Sequence, residues 1–127
     1  MNEIVPVLKD EFNQSPIPTE WRRALTEIVE GLKNGDFDLV RRVDGVRPIS
    51  TEDEIRIARN INRYGARLTS LPEATWHTSV CQWMIGYWDA LVDLYTEQEG
   101  ASDLVLEVRV YEESVGFAYE ILSVHVP

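Results

Sequence analysis

The sequence predicts an α+β fold in which three N-terminal helices pack on one face of a C-terminal, four-stranded antiparallel meander. Three observations predict this class. Apolar residues recur three or four positions apart in the first 65 residues, their spacing falls to two beyond Pro72, and the helical part precedes the strands. Helices and strands that are separated along a chain are typical of helices covering one sheet face. The 127 residues suit a single domain, so one core is expected over residues 1–127.

Three helices are predicted in the first half of the chain. The first covers residues 4–12, where a short apolar stripe is formed by Ile4, Val7, Leu8 and Phe12. The second follows Thr19, a suitable N-cap, and residues 21–32 have the strongest helical periodicity in the chain. A loop is predicted over residues 41–48. The third helix covers residues 51–65, since it starts with a capping-box spacing and ends at a glycine.

Four strands are predicted beyond Pro72, over residues 78–85, 87–96, 103–112 and 116–126. In the second and third strands the apolar side chains alternate, which is typical of a strand with one face on the core. In the last strand the apolar positions change face, and we predict a β-bulge near Ile121 that restores them to a single face.

The two central strands are predicted to form a hairpin. A loop over residues 97–102, with Gly100 in a left-handed conformation, closes it. On the apolar face this register pairs Leu94 with Leu104, Val92 with Leu106 and Trp88 with Val110. On the opposite face it pairs Asp89 with Arg109 and Tyr87 with Tyr111. Because the pairs are chemically sensible on both faces, the register is well determined by the sequence.

Charge and cysteine content exclude several classes of function. Twenty-two acidic residues against twelve basic ones give a net charge of −10, which repels nucleic-acid phosphates and anionic membrane surfaces. The single cysteine, Cys81, excludes an intramolecular disulfide. The chain has no secretory signal and no stretch of roughly 20 apolar residues that would span a membrane. We therefore expect a cytoplasmic protein without a nucleic-acid or membrane partner.

None of the spacings that carry common catalytic chemistry is present. Cys81 has no zinc-binding partner at a suitable spacing, and a thiol in a predicted strand is commonly buried and inert. A nucleophile elbow, a phosphate-binding glycine loop and a H-E-x-x-H helix are missing. The acidic stretch 97–103 lacks the alternating ligands of a calcium loop. We expect no cofactor, no metal ion and no enzymatic activity.

One face of the predicted hairpin interleaves tyrosines with carboxylates. We call it the polar face, and its members are Tyr87, Asp89, Asp93, Tyr95, Glu107 and Tyr111. Tyrosines are enriched at binding hot spots, and carboxylates attract basic partners, so these six are the predicted protein-binding residues. Two alternatives remain open. The polar side chains only solvate an exposed face, or Asp89, Asp93 and Glu107 serve a hydrolase or a metal ion.

A family resemblance is carried by residues 88–104, with the sequence WDALVDLYTEQEGASDL. This segment resembles an uncharacterised family of small bacterial proteins, a domain of unknown function. The resemblance extends upstream through Tyr64–Leu68 and Leu71–Glu73 and downstream to Val124–Val126, so it covers roughly the second half of the chain. It implies a bacterial source and a compact domain, and it supplies no catalytic or ligand-binding residues.

The leading hypothesis is a small, acidic, non-catalytic protein-binding module whose partner is a basic protein. Its most specific form is an immunity protein that inhibits a cognate bacterial toxin, because size and acidity are similar to those of bacterial immunity proteins. The alternatives are a small carboxylate-dependent hydrolase, and a bacterial protein with a purely structural or regulatory role. The oligomeric state is left open by the sequence.

Overall fold

The computed structural model describes residues 3–127, which form three α-helices, one 3₁₀ helix and five strands. Met1 and Asn2 of the predicted domain lie outside the described residues. In chain order the elements are β1 Ser15–Pro16, α1 Thr19–Lys33, α2 Leu39–Arg42, α3 Thr51–Tyr64, the 3₁₀ helix Glu73–His77, β2 Val80–Trp83, β3 Trp88–Thr96, β4 Gly100–Glu112 and β5 Phe117–His125. The α+β class with an antiparallel sheet is confirmed.

The sheet is a meander in the order β1-β2-β3-β4-β5, with every neighbouring pair antiparallel. The prediction of four strands was wrong, because β1 adds a fifth through the pairs Ser15 with Cys81 and Pro16 with Val80. A strand of two residues has no periodicity to recognise. It exists only because the chain entering α1 runs beside β2.

The predicted β3–β4 register is confirmed over most of its length. Trp88 pairs with Val110, Asp89 with Arg109 and Val92 with Leu106, as expected. The ladder shifts between Asp93 and Tyr95, so Leu94 and Leu104 are not a regular pair. The loop is also shorter than predicted. Gly100 has the expected positive φ of 74°, but it is already the first residue of β4, which leaves only residues 97–99 to turn the chain.

The predicted bulge in β5 is confirmed. Glu107 pairs with Ser123 and Val108 pairs with Ile121, which leaves Leu122 as the extra residue on β5. The bulge returns Val124 to the core face, where it is fully buried beside the helices.

The first predicted helix is wrong, because residues 3–14 contain no helix. Pro6 has no N–H to donate, and the chain is held in another conformation by distant partners. Val5 and Thr19 exchange two hydrogen bonds, and the Trp88 indole donates to the Leu8 carbonyl at 2.8 Å. The expected apolar stripe is not buried, since Ile4 and Phe12 are 83% and 86% exposed.

The other two predicted helices are α1 and α3, with small differences at their N-termini. Pro18 precedes α1 and Thr19 is its first residue, whose hydroxyl accepts from the Val5 N–H. The N-cap of α3 is Ser50, which accepts from the Asp53 N–H at 3.1 Å. The short helix α2 begins two residues before the predicted loop and includes its first two residues.

The core lies between the helices and one face of the sheet. Trp21 of α1 is fully buried against Trp88 of β3, with ring centroids 5.2 Å apart, and both rings pack on Phe117. In contrast, α3 lies against β5 and buries fully only Ile57. The three predicted helices therefore do not share the sheet face as expected, because the first is absent and α3 lies along one edge.

Backbone carbonyls along the free edges of β5 and of the end of β3 accept hydrogen bonds from residues outside the sheet. On β5, Arg56 of α3 donates to the Leu122 carbonyl at 2.6 Å, and Asn60 donates to the Val124 carbonyl at 2.9 Å. On β3, beyond the end of β2, the Thr69 N–H donates to the Tyr95 carbonyl at 2.9 Å. No helix in the described part of the chain is long and apolar enough to cross a membrane.

Candidate functional site

The polar face lies on the side of the sheet away from the buried core residues. Its six members are partly buried, whereas Trp88, Ala90, Val92 and Leu94, which alternate with them along β3, are fully buried. Strand pairing places Arg109 and Glu120 in the same row as Asp89, and Ser123 in the same row as Glu107. The alternation predicted from the sequence thus positions the face as expected.

Two tyrosines and two arginines form a cluster at one end of the polar face. The Tyr87 and Tyr111 rings are 5.8 Å apart. The Arg109 guanidinium lies 4.7 Å from the centre of the Tyr87 ring, and the Arg47 guanidinium lies 4.0 Å from the centre of the Tyr111 ring. Both distances are within the range of cation–π attraction. These ring faces are therefore able to hold a guanidinium group.

Asp89 and Glu107 form a close carboxyl pair in the middle of the polar face. The pKa of Asp89 is raised to about 6, first by burial and then by a hydrogen bond with Glu107 and the charge of that residue, while Arg109 opposes the rise. One Asp89 oxygen, Oδ1, is buried and makes no hydrogen bond. Near neutral pH the pair therefore holds a proton more readily than two isolated carboxylates would.

The remaining two members, Asp93 and Tyr95, are separate from this pair. A strand advances about 3.3 Å per residue, so Asp93 lies roughly 13 Å along β3 from Asp89. Asp93 is paired with Val105, and its backbone is fixed by two side chains from the segment that contains the 3₁₀ helix. Its N–H donates to the Ser79 hydroxyl at 2.9 Å, and its carbonyl accepts from the Thr75 hydroxyl at 2.6 Å.

The three carboxylates considered for a hydrolase do not converge. Asp89 and Glu107 are neighbours, but the spacing along β3 separates Asp93 from them. Within residues 3–127, no group of three histidine, cysteine or acidic side chains is placed to hold a metal ion. Two grooves, of about 1020 and 980 Å³, are lined by other residues, and none of the six members of the polar face contributes to either.

The thiol of Cys81 is buried in β2, as expected. Burial raises its pKa to about 11, so the reactive thiolate is scarce at neutral pH. Its sulfur lies 3.6 Å from the Pro16 carbonyl oxygen, across the short β1–β2 pairing. The surroundings are those of a packing residue.

Sequence reasoning missed three residues that complete the polar face. Arg47 arrives from the segment between α2 and α3, and Glu120 of β5 accepts a hydrogen bond from the Tyr111 hydroxyl at 2.9 Å. Arg109 was identified as a strand partner, but its position over Tyr87 was not. For Glu120 a signal existed, because it alternates with Tyr119 and Ile121 along a predicted strand. For Arg47 there was none.

The charge of the protein is concentrated in the half that forms most of the sheet. Residues 73–127 contain ten acidic side chains and one basic one, Arg109. That segment therefore carries −9 of the net charge of −10, whereas residues 1–72 are nearly neutral. Four of its acidic residues, Asp89, Asp93, Glu107 and Glu120, belong to the polar face or pair with it.

Comparison with known proteins identifies a family and no individual relative. A search of curated proteins and a search of solved structures gave no significant match. A family model described as a domain of unknown function, DUF7668, matches residues 29–127. The match includes α2, α3 and β2 to β5, so it is longer than the second-half resemblance predicted from the sequence. The chain therefore belongs to the DUF7668 family, a domain of unknown function.

Proposed function

We propose that this domain is a non-catalytic binding module whose polar face binds a basic protein. The observation that carries the proposal is the arrangement of Tyr87 and Tyr111 beside the Asp89–Glu107 pair, within the half of the chain that carries −9 of the charge. Aromatic rings supply apolar contact area at an interface, and carboxylates steer a cationic partner toward it.

The cation–π contacts of the polar face support a partner that presents arginine. Arg47 and Arg109 already occupy positions over Tyr111 and Tyr87. A guanidinium group from a partner could take the same kind of position on a tyrosine ring while pairing with Asp89 or Glu107. Arginine is suited to this, since its planar group both stacks on rings and forms paired hydrogen bonds with carboxylates.

The most specific form of the proposal is an immunity protein of bacterial origin that inhibits a cognate basic toxin. Its support is the size of the domain, its acidity and the polar face. A toxin that must be kept inactive inside its producer requires a partner that associates rapidly, and opposite charges accelerate association. A gene for a basic toxin next to the gene for this protein would favour this form over a structural or regulatory role.

The test is co-purification from the native host, followed by titration of the recovered protein at two salt concentrations. We expect a basic partner whose affinity falls as salt increases. Changing Asp89 and Asp93 to Asn and Glu107 to Gln should weaken binding by about tenfold or more. The matched control changes exposed Glu52, Glu73 and Glu97 to Gln, which removes the same charge elsewhere. Equal losses in the two triple variants would show that net charge, and not the polar face, drives association.

A second candidate is a hydrolase that uses Asp89 and Glu107 as an acid–base pair. It is favoured by one observation, the pKa of about 6 that burial and Glu107 give to Asp89. A carboxyl group with such a pKa can exchange protons near neutral pH. The test is hydrolysis of a panel of esters and glycosides. Activity that is lost in a folded Asp89→Asn variant would support this candidate over the binding module.

A further inference from the structure

One end of the sheet exposes apolar side chains that the core does not use. The turn between β2 and β3 leaves Met84 and Ile85 47% and 71% exposed. On the N-terminal segment, Leu8 and Phe12 are 47% and 86% exposed. We call these four side chains the apolar tip. Exposed apolar groups that gather in one place mark interaction sites on soluble proteins.

The N-terminal segment is fixed beside the end of β2 by contacts of the residues between Leu8 and Phe12. The Gln82 side chain donates to the Asp10 carbonyl at 3.1 Å, and the Lys9 ammonium lies 5.3 Å from the centre of the Trp83 ring. The Asp10 carboxylate accepts from the backbone N–H of Phe12 at 3.0 Å, which turns the chain at this point. The segment that carries Leu8 and Phe12 is therefore fixed at the end of the sheet where Met84 and Ile85 lie.

The backbone of the β2–β3 turn is strained at Ile85. Ile85 has a φ of +55°, a left-handed conformation in which a β-branched residue is a rare outlier. Asn or Gly would adopt it at much lower cost. The chain instead holds a large apolar side chain in water at an unfavourable position. Strained residues of this kind are found where a site requires a particular side chain.

Acidic residues surround the apolar tip. Asp10 and Glu11 directly precede Phe12 on the N-terminal segment, and Glu113 begins the β4–β5 turn at the same end of the sheet. Two cations among the described residues lie near this end, and both have partners: Lys9 is paired with Glu112 at 3.0 Å, and Arg109 lies over the Tyr87 ring. A second copy of this chain would bring the same negative charges together, and an anionic membrane would be repelled. A partner surface complementary to the apolar tip is therefore apolar in the middle and basic around its rim.

We infer that the apolar tip inserts into an apolar cavity with a basic rim on a partner protein. The inference rests on the proposed function, because the tip continues the polar face. Tyr87 belongs to the same turn as Met84 and Ile85, with the Met84 N–H donating to the Tyr87 carbonyl at 2.8 Å. The tip supplies the apolar contact, and the polar face supplies the attraction between charges.

The experiment uses three helical peptides of about 14 residues as probes of partner chemistry. The first has a leucine face flanked by arginines, the second replaces the arginines with glutamates, and the third replaces the leucines with serines. The reporter is the ε-methyl NMR signal of Met84, since the chain contains only one other methionine. We expect the leucine–arginine peptide to shift this signal with saturation, and the other two peptides to shift it far less.

A matched pair of variants tests which side chain is responsible. Asparagine tolerates the left-handed conformation, so the Ile85→Asn variant should remain folded. Its affinity for the leucine–arginine peptide should fall by about tenfold or more. Ile55→Asn removes another exposed isoleucine, on α3, and should leave binding unchanged. Equal binding of the serine peptide, or no loss in Ile85→Asn, would overturn the inference. Shifts confined to Tyr87 and Tyr111 would overturn it while supporting the polar face, and no shift at either place would count against both.

Discussion

The two turns at the ends of β3 both reverse the chain, but one is polar and the other is apolar. The β3–β4 turn, residues 97–99, is polar and tied to the helical layer. The Tyr64 hydroxyl donates to Glu99 at 2.9 Å and accepts from the Asp103 N–H at 3.1 Å, while the Arg67 N–H donates to the Gln98 side chain at 3.0 Å. Gly100 provides the positive φ at no steric cost. This end of the sheet is built for stability.

The β2–β3 turn instead places an isoleucine where glycine or asparagine would be favourable. Ile85 has the left-handed φ, and its side chain is 71% exposed. What secures this end is a residue next to the turn, Trp88, which is fully buried and donates its indole N–H to Leu8. The contrast teaches that a domain can keep a strained, apolar turn when the neighbouring strand supplies the stability.

The largest expected effect comes from Trp88→Leu. Loss of aromatic contacts with Trp21 and Phe117, and of the hydrogen bond to Leu8, should lower the free energy of unfolding by about 3 kcal/mol. Hydrogen exchange should show the N-terminal segment opening before the β3–β4 hairpin does. The control is Trp83→Leu, which removes a partly exposed ring and should cost less. A similar cost for both tryptophans would contradict the role assigned to Trp88.

Substitutions at the left-handed residues of the two turns should have intermediate effects of opposite sign on the free energy of unfolding. Gly100→Ala forces a side chain into a φ of +74°, with space around it, and should destabilise the protein by about 1–2 kcal/mol. Ile85→Asn relieves the left-handed isoleucine and should stabilise it by about 1 kcal/mol. Urea unfolding of both variants measures the difference. Destabilisation by Ile85→Asn would show that Ile85 contributes to the fold.

The smallest effect concerns Asp89, on the polar face close to the apolar tip. Its folded-state pKa of about 6 lies above the ordinary 3.8, so the folded state binds more protons between these values, and its stability falls as pH rises through that window. Asp89→Asn should therefore be neutral near pH 4 and stabilising above pH 6, by about 1 kcal/mol after solvent screening. Unfolding at pH 4.5 and pH 8 measures it, and a benefit that is equal at both would contradict the raised pKa.

The β3–β4 hairpin could be predicted because its signals are local. The two-residue alternation assigns each side chain to a face, and the register then follows from pairing Trp88 with Val110 and Asp89 with Arg109. Four members of the polar face, Tyr87, Asp89, Glu107 and Tyr111, gather for the same reason. The separation of Asp93 and Tyr95 from Asp89 along β3 also follows from strand spacing.

The parts that could not be predicted depend on contacts between distant segments. The helical spacing of Ile4 and Phe12 was misleading, because Val5 and Leu8 use their backbone groups to bind Thr19 and Trp88. Arg47 joins the polar face from a loop whose path is set by hydrogen bonds to Tyr119. The left-handed backbone at Ile85 has no sequence signal, since isoleucine is among the residues least suited to it.

The two side chains that α3 lays along β5 also determine how the sheet can meet another chain. Arg56 and Asn60 occupy the carbonyls of Leu122 and Val124, which an incoming β-strand would need as acceptors. At the opposite margin β1 is only two residues long, and Pro16 has no N–H to offer. Strand addition, the usual route by which exposed sheets polymerise or capture extended peptides, is therefore obstructed at both margins. We therefore expect a protein partner to contact this domain through side chains.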